Sequence, residues 1–221
     1  MSDFTPEIVD DELSELLTKL CAQPDVNTVL EIGSGDGRGS TQAILKGLAG
    51  KNPRATLGCL EIKSDRYEAL LKNIEPYSSQ LYWIHCGRLS SVPVSEWMRR
   101  SEIERFYKKV PTKLNDWPLE QVLGWWDDEA AHAIVLRQEG IQIMKQRCEV
   151  TAFDLVLLDG SPFCGEADLR KVWGAKYLVL DDIDDIKNRV GFIKLLDRVS
   201  GYKLLKLNRT LRNGYAAFQR A

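Results

Sequence analysis

The sequence predicts an α/β fold in which one doubly wound, mostly parallel sheet is covered by helices on both faces. Short apolar segments alternate along the chain with longer segments of helical periodicity, the pattern of parallel strands joined by crossover helices. The first apolar segment runs directly into a turn with glycine at every second position, followed by a helix. Since 44% of the 221 residues are hydrophobic, the chain can bury one sizeable core, and we expect a single domain over residues 1–221.

Five buried strands and a terminal hairpin make up the predicted sheet. Mostly apolar runs predict the parallel strands at 27–32, 55–62, 81–85, 153–158 and 176–180. Right-handed crossovers between these strands determine which face of the sheet each connecting helix covers. Residues 202–207 and 215–219, joined through Arg212-Asn213-Gly214, predict an antiparallel hairpin at the end of the sheet.

Amphipathic helices occupy the segments between the strands. In the N-terminal segment 1–25, residues 6–20 place apolar side chains on one helical face, so we expect a helical cap over the sheet edge or the mouth of a ligand site. Further helices are predicted after the glycine turn, from Ser64, and over about 188–199.

One long insertion interrupts the alternation between the third and fourth strands. A basic helix is predicted at 95–110 and a second helix at about 130–147, and the surplus over a single connecting helix is about 111–150. We expect this helical insertion to shape the pocket for a second substrate, because insertions at the sheet edge carry specificity. Trp125 and Trp126 are predicted to pack the insertion onto the domain or to form a homodimer interface.

The glycine turn carries the main functional signal. Glycine at positions 33, 35 and 37 permits positive φ and lets the backbone approach a ligand closely. The helix that begins near Ser40 directs its N-terminal amides to the same place. A dinucleotide fingerprint needs a third glycine where this chain has Arg38, so a nicotinamide oxidoreductase is the disfavoured alternative.

The pattern Glu31-x-Gly33-x-Gly35-x-Gly37 resembles motif I of the class I S-adenosylmethionine-dependent methyltransferases. The resemblance implies a Rossmann-like sheet of seven strands in the order 3-2-1-4-5-7-6, with the last strand antiparallel. It implies that the turn binds S-adenosylmethionine (SAM), that Glu31 orders the turn, and that Glu61 at the end of the second strand accepts hydrogen bonds from ribose hydroxyls. The expected cofactor-binding residues are Glu31, Gly33, Ser34, Gly35, Asp36, Gly37, Glu61, Ile62, Gly87 and Asp159.

Three further carboxylates end neighbouring strands of the predicted sheet. Asp159 follows the fourth strand, and Asp181 and Asp182 follow the fifth. Because adjacent strands lie about 4.8 Å apart, we expect these side chains to gather at the edge that carries the glycine turn. Like charges in one site call for a compensating cation, and carboxylate oxygens suit Mg²⁺ or a similar hard ion.

The spacing of these acids resembles the metal site of the cation-dependent O-methyltransferases. That resemblance implies that Asp159, Asp181 and Asp182 bind the metal and that Asp159 lies at the catalytic centre. The alternative is a metal-free site in which the acidic run 181–185 caps the next helix. The order of Asp159-Gly160, Trp173-Gly174 and Asp181-Asp182 is also similar to small bacterial class I methyltransferases with varied substrates.

The sequence assigns no general base. The cation-dependent families place Lys or His two or three residues beyond the first Asp, where this chain has Ser161 and Pro162. The histidines are His85, predicted at a strand end, and His132, predicted on the insertion, and neither belongs to a local catalytic motif. His85 is expected to be structural.

These observations predict an enzyme that transfers a methyl group from SAM to a hydroxyl of a small-molecule acceptor, with Mg²⁺ assistance as one form of the mechanism. A metal-free methyltransferase acting on another acceptor remains an alternative, although the chain lacks an Asn-Pro-Pro-Tyr-type tetrapeptide that would hold an amine. A second alternative is a non-catalytic methyltransferase-like module that binds a partner through the tryptophan-bearing insertion.

Composition excludes several other classes of protein. The formal net charge of −2 offers no general attraction for nucleic acid. Solvated helix faces are expected to account for the basic segment 194–220, and an acidic acceptor or an anionic surface is the alternative. Five cysteines, odd in number and without C-x-x-C spacing, indicate neither a disulfide framework nor a zinc site. The sequence shows no leader pattern and no apolar run long enough for a membrane span, so we expect a cytoplasmic protein.

Overall fold

The computed structural model describes residues 4–137 and 139–221. Seven strands form one sheet in the order β3-β2-β1-β4-β5-β7-β6, with β7 antiparallel to both of its neighbours. The predicted strand order and the antiparallel last strand are confirmed. The strands are β1 (Thr28–Ile32), β2 (Thr56–Leu60), β3 (Trp83–Gly87), β4 (Leu155–Leu158), β5 (Tyr177–Asp181), β6 (Tyr202–Asn208) and β7 (Tyr215–Arg220).

Eight helices in the described part of the chain lie along the sheet. They are α1 (Glu12–Cys21), α2 (Ser40–Leu48), α3 (Ser64–Ile74), α4 (Arg100–Lys109), α5 (Leu119–Ile134), α6 (Gly140–Arg147), α7 (Gly165–Val172) and α8 (Arg189–Leu196). Short 3-10 turns at Glu75–Tyr77, Val94–Glu96, Lys113–Asp116 and Arg198–Ser200 complete the connections.

Side chains of alternate strand residues pack into two separate hydrophobic cores, one on each face of the sheet. Val29 and Leu57 pack with α1, α2 and α3, whereas Leu30 and Val156 pack with α4 to α8. Every residue of β2, β4 and β5 is buried, because helices cover both faces of these central strands. This burial explains why the central strands read as continuous apolar runs.

The N-terminal helix is shorter than the sequence predicts. It begins at Glu12, whereas helical periodicity suggested a start at position 6. Asp11 caps it, because its Oδ1 accepts from Ser14 N at 2.8 Å and the Ser14 Oγ accepts from Asp11 N at 2.9 Å. Asp10 adopts φ +46°, which interrupts a helix, so the apolar spacing before Asp11 is not helical.

The single helix predicted at about 130–147 is wrong. Its first part is the end of α5, which starts at Leu119, and its second part is the separate helix α6. Between them Glu139 adopts φ +67°, and Gly140 N donates to Ser90 O at 2.7 Å. A Cβ at Gly140 would lie 2.7 Å from the same carbonyl oxygen, so the start of α6 is held against the loop after β3. The basic helix predicted from position 95 likewise begins only at Arg100.

The tryptophans of the insertion pack it onto the domain, as predicted. Trp126 Nε1 donates to Met98 O at 2.9 Å, and the Trp125 ring lies edge-on to Trp117 with 5.6 Å between centroids. Both Trp125 and Trp126 contact the core on the α4 to α8 side of the sheet. A homodimer interface at this surface remains a prediction. Within the described residues, each helix is too short or too polar to cross a bilayer.

Candidate active site

A cavity of about 250 Å³ opens at the carboxyl ends of β1, β2, β4 and β5. Topology explains its place, because the turns after parallel strands gather at one edge of such a sheet. Its wall contains the glycine turn after β1, residues that follow β2, β3, β4 and β5, and a residue of α5 in the insertion. The wall includes Phe4, Glu7, Gly33, Gly35, Glu61, Ile62, Lys63, Arg66, Leu89, Ser91, Trp97, Glu129, Asp159, Ser161, Cys164, Asp182 and Lys187.

The glycine turn is pressed against the ends of the neighbouring strands. Gly33 adopts φ +89°, and a Cβ there would lie only 2.2 Å from the carbonyl oxygen of Asp159. The backbone amides of Gly33 and Ser34 both donate to Leu60 O at 3.0 Å. Gly35 and Gly37 also have positive φ, of +56° and +79°. Glycine is therefore required at Gly33 both by conformation and by the close approach of β4.

Glu31 lies beneath the turn and is fully buried. Its Oε1 accepts from Ser40 Oγ at 2.6 Å and its Oε2 accepts from Thr41 Oγ1 at 2.7 Å. Burial raises the pKa of Glu31, while the two hydroxyls act in the opposite direction. The carboxylate thereby ties β1 to the first turn of α2, an arrangement suited to ordering the glycine turn.

Glu61 lines the cavity directly after β2. Its Oε2 accepts from Gly35 N at 2.9 Å, and its Oε1 accepts from Lys63 N at 2.8 Å. Burial raises the pKa of this carboxyl, opposed by the amides and by Arg66. Each carboxylate oxygen has a second lone pair, so Glu61 can still accept hydrogen bonds from ligand hydroxyls.

Several of the predicted cofactor residues support the site from outside the cavity. Glu31, Ser34, Asp36 and Gly37 lie in or beneath the turn, and Gly87 ends β3, where its carbonyl accepts from Glu61 N at 3.2 Å. These five residues do not line the cavity, whereas Gly33, Gly35, Glu61, Ile62 and Asp159 do. Asp36 faces Arg38, whose Nε donates to its Oδ2 at 2.6 Å. Direct contact between a cofactor and any of the five residues that do not line the cavity remains a prediction.

The histidines do not reach the cavity. His85 stacks on Trp83 with 6.1 Å between ring centroids, and its Nε2 is buried without a hydrogen-bond partner among the described residues. His132 Nδ1 lies 2.8 Å from Asp128 O on the outside of α5. The structural role predicted for His85 agrees with this placement, and neither ring is positioned to act on a ligand.

The segment before α1 covers part of the cavity. A Cβ on Gly35 would lie 2.9 Å from the Phe4 ring, and the Arg66 guanidinium lies 4.0 Å from the centre of that ring. Glu7 contributes to the same wall. The helix α1 packs elsewhere, on α2, where Thr18 Oγ1 donates to Ala43 O at 3.0 Å. The expected cap at the mouth is therefore formed by the non-helical segment before α1 and not by the helix.

The three carboxylates predicted at the sheet edge do come together. Ligand oxygens of Asp159, Asp181 and Asp182 all lie within 4.8 Å of one another. Lys187 lies among them, with its Nζ 2.7 Å from Asp159 Oδ1 and 2.5 Å from Asp182 Oδ2. Arg212 Nη2 approaches Asp181 Oδ1 at 3.4 Å.

The electrostatics of this cluster follow from burial and from Lys187. Burial raises the pKa of Asp159 and of Asp181, and the neighbouring carboxylates raise that of Asp181 further. Burial also acts to raise the pKa of Asp182, but Lys187 and an amide hydrogen bond from Asn213 lower it overall. Burial disfavours the charge of Lys187, yet the surrounding carboxylates raise its pKa well above the ordinary lysine value.

Glu129 is brought to the cavity by the insertion. It lies on α5, and burial raises the pKa of its carboxyl, opposed by Ser161, Lys63 and Lys187. Its Oε2 and the Nε1 of Trp97 are both buried without a hydrogen-bond partner among the described residues. Both side chains line the cavity, so a bound ligand can satisfy them.

No protein-family model matches the sequence, and a comparison with curated proteins finds no match. Solved structures match nearly the whole chain. A methyltransferase from Geobacter sulfurreducens superposes with a TM-score of 0.57 at 11% identity, over 97% of this chain and 82% of that one. An O-methyltransferase from Bacillus cereus, in complex with S-adenosylhomocysteine (SAH), gives 0.54 at 11% identity, over 98% and 84% of the two chains.

A third neighbour is the O-methyltransferase TomG from Streptomyces achromogenes, involved in tomaymycin synthesis and solved with SAM. It gives a TM-score of 0.53 at 14% identity, over 97% of this chain and 82% of that one. The chain has the class I methyltransferase fold. The cavity lies within this methyltransferase fold at the turns after β1, β2, β4 and β5.

The cluster formed by Asp159, Asp181 and Asp182 does not fit a divalent cation in the observed arrangement. Asp182 uses Oδ2 for Lys187 and Oδ1 for Asn213 Nδ2 at 2.9 Å, and Asp159 uses Oδ1 for Lys187. A divalent cation held by the same oxygens would lie next to the ammonium, and the two would repel strongly in a buried site. The predicted gathering of the carboxylates is thus met, but Lys187 already supplies their countercharge.

Sequence reasoning missed Lys187 and Glu129. Lys187 is the only basic residue between Asp181 and Asn188, and a lone cation in an acid-rich turn is a signal that could have been used. Glu129 follows Asp127 and Asp128 in the sequence, and nothing local distinguishes the acid that points to the cavity from its two neighbours.

Proposed function

We propose that this protein is a SAM-dependent methyltransferase that methylates a hydroxyl of a small-molecule acceptor. One observation carries the proposal: the glycine turn, Glu61 and Asp159 line a single cavity at the carboxyl edge of the sheet. Neighbouring structures of the same fold, described as O-methyltransferases, contain SAH or SAM, which supports the choice of cofactor.

The cofactor half of the cavity is formed by main chain and carboxylates. Gly33 and Gly35 line the cavity with main chain, so their backbone can contact the amino-acid end of SAM. Glu61 accepts hydrogen bonds from the ribose hydroxyls, and Ile62 packs beside it. Glu31, Ser34, Asp36, Gly37 and Gly87 hold this surface in place from behind.

The acceptor half of the cavity is formed by the insertion and by the loops after β3 and β4. Leu89, Ser91, Trp97 and Cys164 supply a mixed apolar and polar wall that suits a compact organic molecule. The unpartnered Trp97 Nε1 donates to an acceptor oxygen, and the unpartnered Glu129 Oε2 receives a hydroxyl proton.

The reaction is an in-line displacement at the sulfonium methyl group. The acceptor oxygen forms a bond to the methyl carbon while the sulfur–methyl bond breaks, and its electron pair returns to sulfur to give SAH. The acceptor proton passes to the Glu129 carboxylate, which acts as the general base and later releases the proton to solvent. Asp159 lies between the cofactor and acceptor halves, where it holds Lys187 at the reacting edge.

Calorimetry with SAH tests the cofactor assignment. Wild-type protein is expected to give a measurable heat of binding with SAH and none with NADH. Glu61→Ala is expected to bind SAH about tenfold or more weakly than wild type. Glu68→Ala, an exposed acid on α3, is the matched control and should bind as wild type. Absence of SAH binding by the folded wild-type protein would favour a non-catalytic module and reject the proposal.

A further inference from the structure

We propose that Lys187 takes the place of the divalent cation of cation-dependent O-methyltransferases, so that this site works without a metal and its ammonium group holds the acceptor oxygen. The inference rests on the proposed function for the identity of the ligand. Its structural basis, the exclusion of a metal by Lys187, stands on contacts within the chain alone.

The backbone that carries Lys187 is fixed on both sides. Asn188 is 1% exposed, and its Nδ2 donates to Leu158 O at 2.9 Å and to Asp181 O at 2.7 Å, which joins the ends of β4 and β5. A Cβ on Gly165 would lie 2.0 Å from the carbonyl oxygen of Lys187, so this turn lies directly on the start of α7. Lys187 is therefore held in position by two adjacent strands and a helix.

The ammonium group uses only part of its donor capacity within the protein. One N–H is directed to Asp159 and a second to Asp182, and no other acceptor is found for it among the described residues. An ammonium has three donors, and Lys187 lines the cavity, so the third is available to a ligand oxygen there. A point charge in this position can orient a hydroxyl and stabilise the negative charge that develops as the proton leaves.

The remaining carboxylate also has a countercharge from the chain. Arg212 Nη2 lies 3.4 Å from Asp181 Oδ1, and Arg212 itself is anchored by an ion pair with Asp11. Lys187 and Arg212 thus each pair with two carboxylates, Lys187 with Asp159 and Asp182 and Arg212 with Asp11 and Asp181, while Asn213 donates to Asp182. A divalent ion would compete with these two cations for the same carboxylate oxygens and would lie next to their positive charges.

Binding of Mn²⁺, followed by electron paramagnetic resonance, tests this inference on the full chain. Wild-type protein saturated with SAH is expected to leave Mn²⁺ free. Lys187→Met retains the three carboxylates without the ammonium and is expected to bind Mn²⁺ at least about tenfold more tightly than wild type. Lys187→Arg, which keeps the charge, is expected to behave as wild type.

Tight Mn²⁺ binding by the wild-type protein, abolished by Asp182→Asn, would overturn the inference. If Lys187→Met does not fold, the wild-type measurement still decides, because it requires no variant. SAH calorimetry on the same sample separates the two claims: failure to bind SAH rejects the proposed function, whereas Mn²⁺ binding with intact SAH binding rejects only the role of Lys187.

Discussion

Lys187 Nζ lies 2.7 Å from Asp159 Oδ1, although the two residues are 28 positions apart and follow different strands. The contact exists because β4 and β5 are parallel neighbours, paired from Leu155↔Tyr177 to Leu158↔Leu180, so that both following turns emerge at one edge. The countercharge of the acidic cluster is therefore a product of strand pairing and not of local sequence.

Replacement of Gly33 is expected to damage both the fold and the cofactor site. In Gly33→Ala the new Cβ would meet the backbone of Asp159 at 2.2 Å in a conformation with φ +89°, so we expect a loss of roughly 3 kcal/mol or more in unfolding free energy and loss of SAH binding. Urea denaturation and calorimetry measure the two effects. Gly50→Ala is the matched control, because Gly50 has φ +73° with nothing within 4 Å, and strain alone should cost about 1 kcal/mol. Equal losses in the two variants would contradict this explanation.

Removal of the Asn188 side chain is expected to loosen the turn that carries Lys187. Asn188→Ala leaves the carbonyls of Leu158 and Asp181 without their buried donor, and we expect a loss of about 2 to 4 kcal/mol in unfolding free energy. Asn188→Asp has the same shape but no donor, so it should lose at least as much. Wild-type stability in Asn188→Asp, measured by urea denaturation, would show that these hydrogen bonds do not hold the turn.

Neutralisation of Glu129 is expected to lower the turnover rate without lowering the stability of the fold. Glu129→Gln removes a carboxylate whose pKa is raised by burial, so we expect a melting temperature equal to or above that of wild type and unchanged SAH affinity. Turnover of SAM with a hydroxyl acceptor should fall by about 10² to 10⁴ because the general base is lost. Asp128→Asn, on the exposed neighbour, is the control for turnover. Unchanged turnover in Glu129→Gln would remove this residue from the mechanism.

Asp168 is expected to make the stability depend on pH. This side chain on α7 is 1% exposed, and burial raises its pKa to about 6, against hydrogen bonds from Ser91 and Cys164 that lower it. Because the folded-state pKa lies above the unfolded value of about 3.9, ionisation of Asp168 costs stability as pH rises from about 4 to about 6, and the cost stays constant above that range.

Asp168→Asn removes this cost. The difference in unfolding free energy between the variant and wild type should therefore shift in favour of the variant by up to about 3 kcal/mol as pH rises from about 4 to about 6. Urea denaturation at a series of pH values measures the difference, with the exposed Asp116→Asn as a control for the loss of one charge. A difference between Asp168→Asn and wild type that does not change with pH would contradict the assignment.

Local patterns were sufficient for the sheet and failed where tertiary contacts set helix boundaries. The strands and the terminal hairpin agree with prediction, because apolar runs and turn residues are properties of short segments. The order of the strands was predicted by the resemblance to the methyltransferases and not by these local patterns. The break between α5 and α6 was not predictable in this way, since it depends on Gly140 meeting Ser90 from a distant loop. The late start of α1 depends on the Asp11 cap, which competes with apolar spacing.

The sequence by itself determined the glycine turn, the acids at the strand ends and the edge of the sheet where they meet, because periodicity and chain direction place all of them. Only the tertiary structure decided that Lys187 lies between Asp159 and Asp182 and that Glu129 reaches the cavity. The physical reason is that both side chains come from connecting segments whose positions depend on packing against distant parts of the chain, whereas a strand end is fixed by the pairing of the sheet itself.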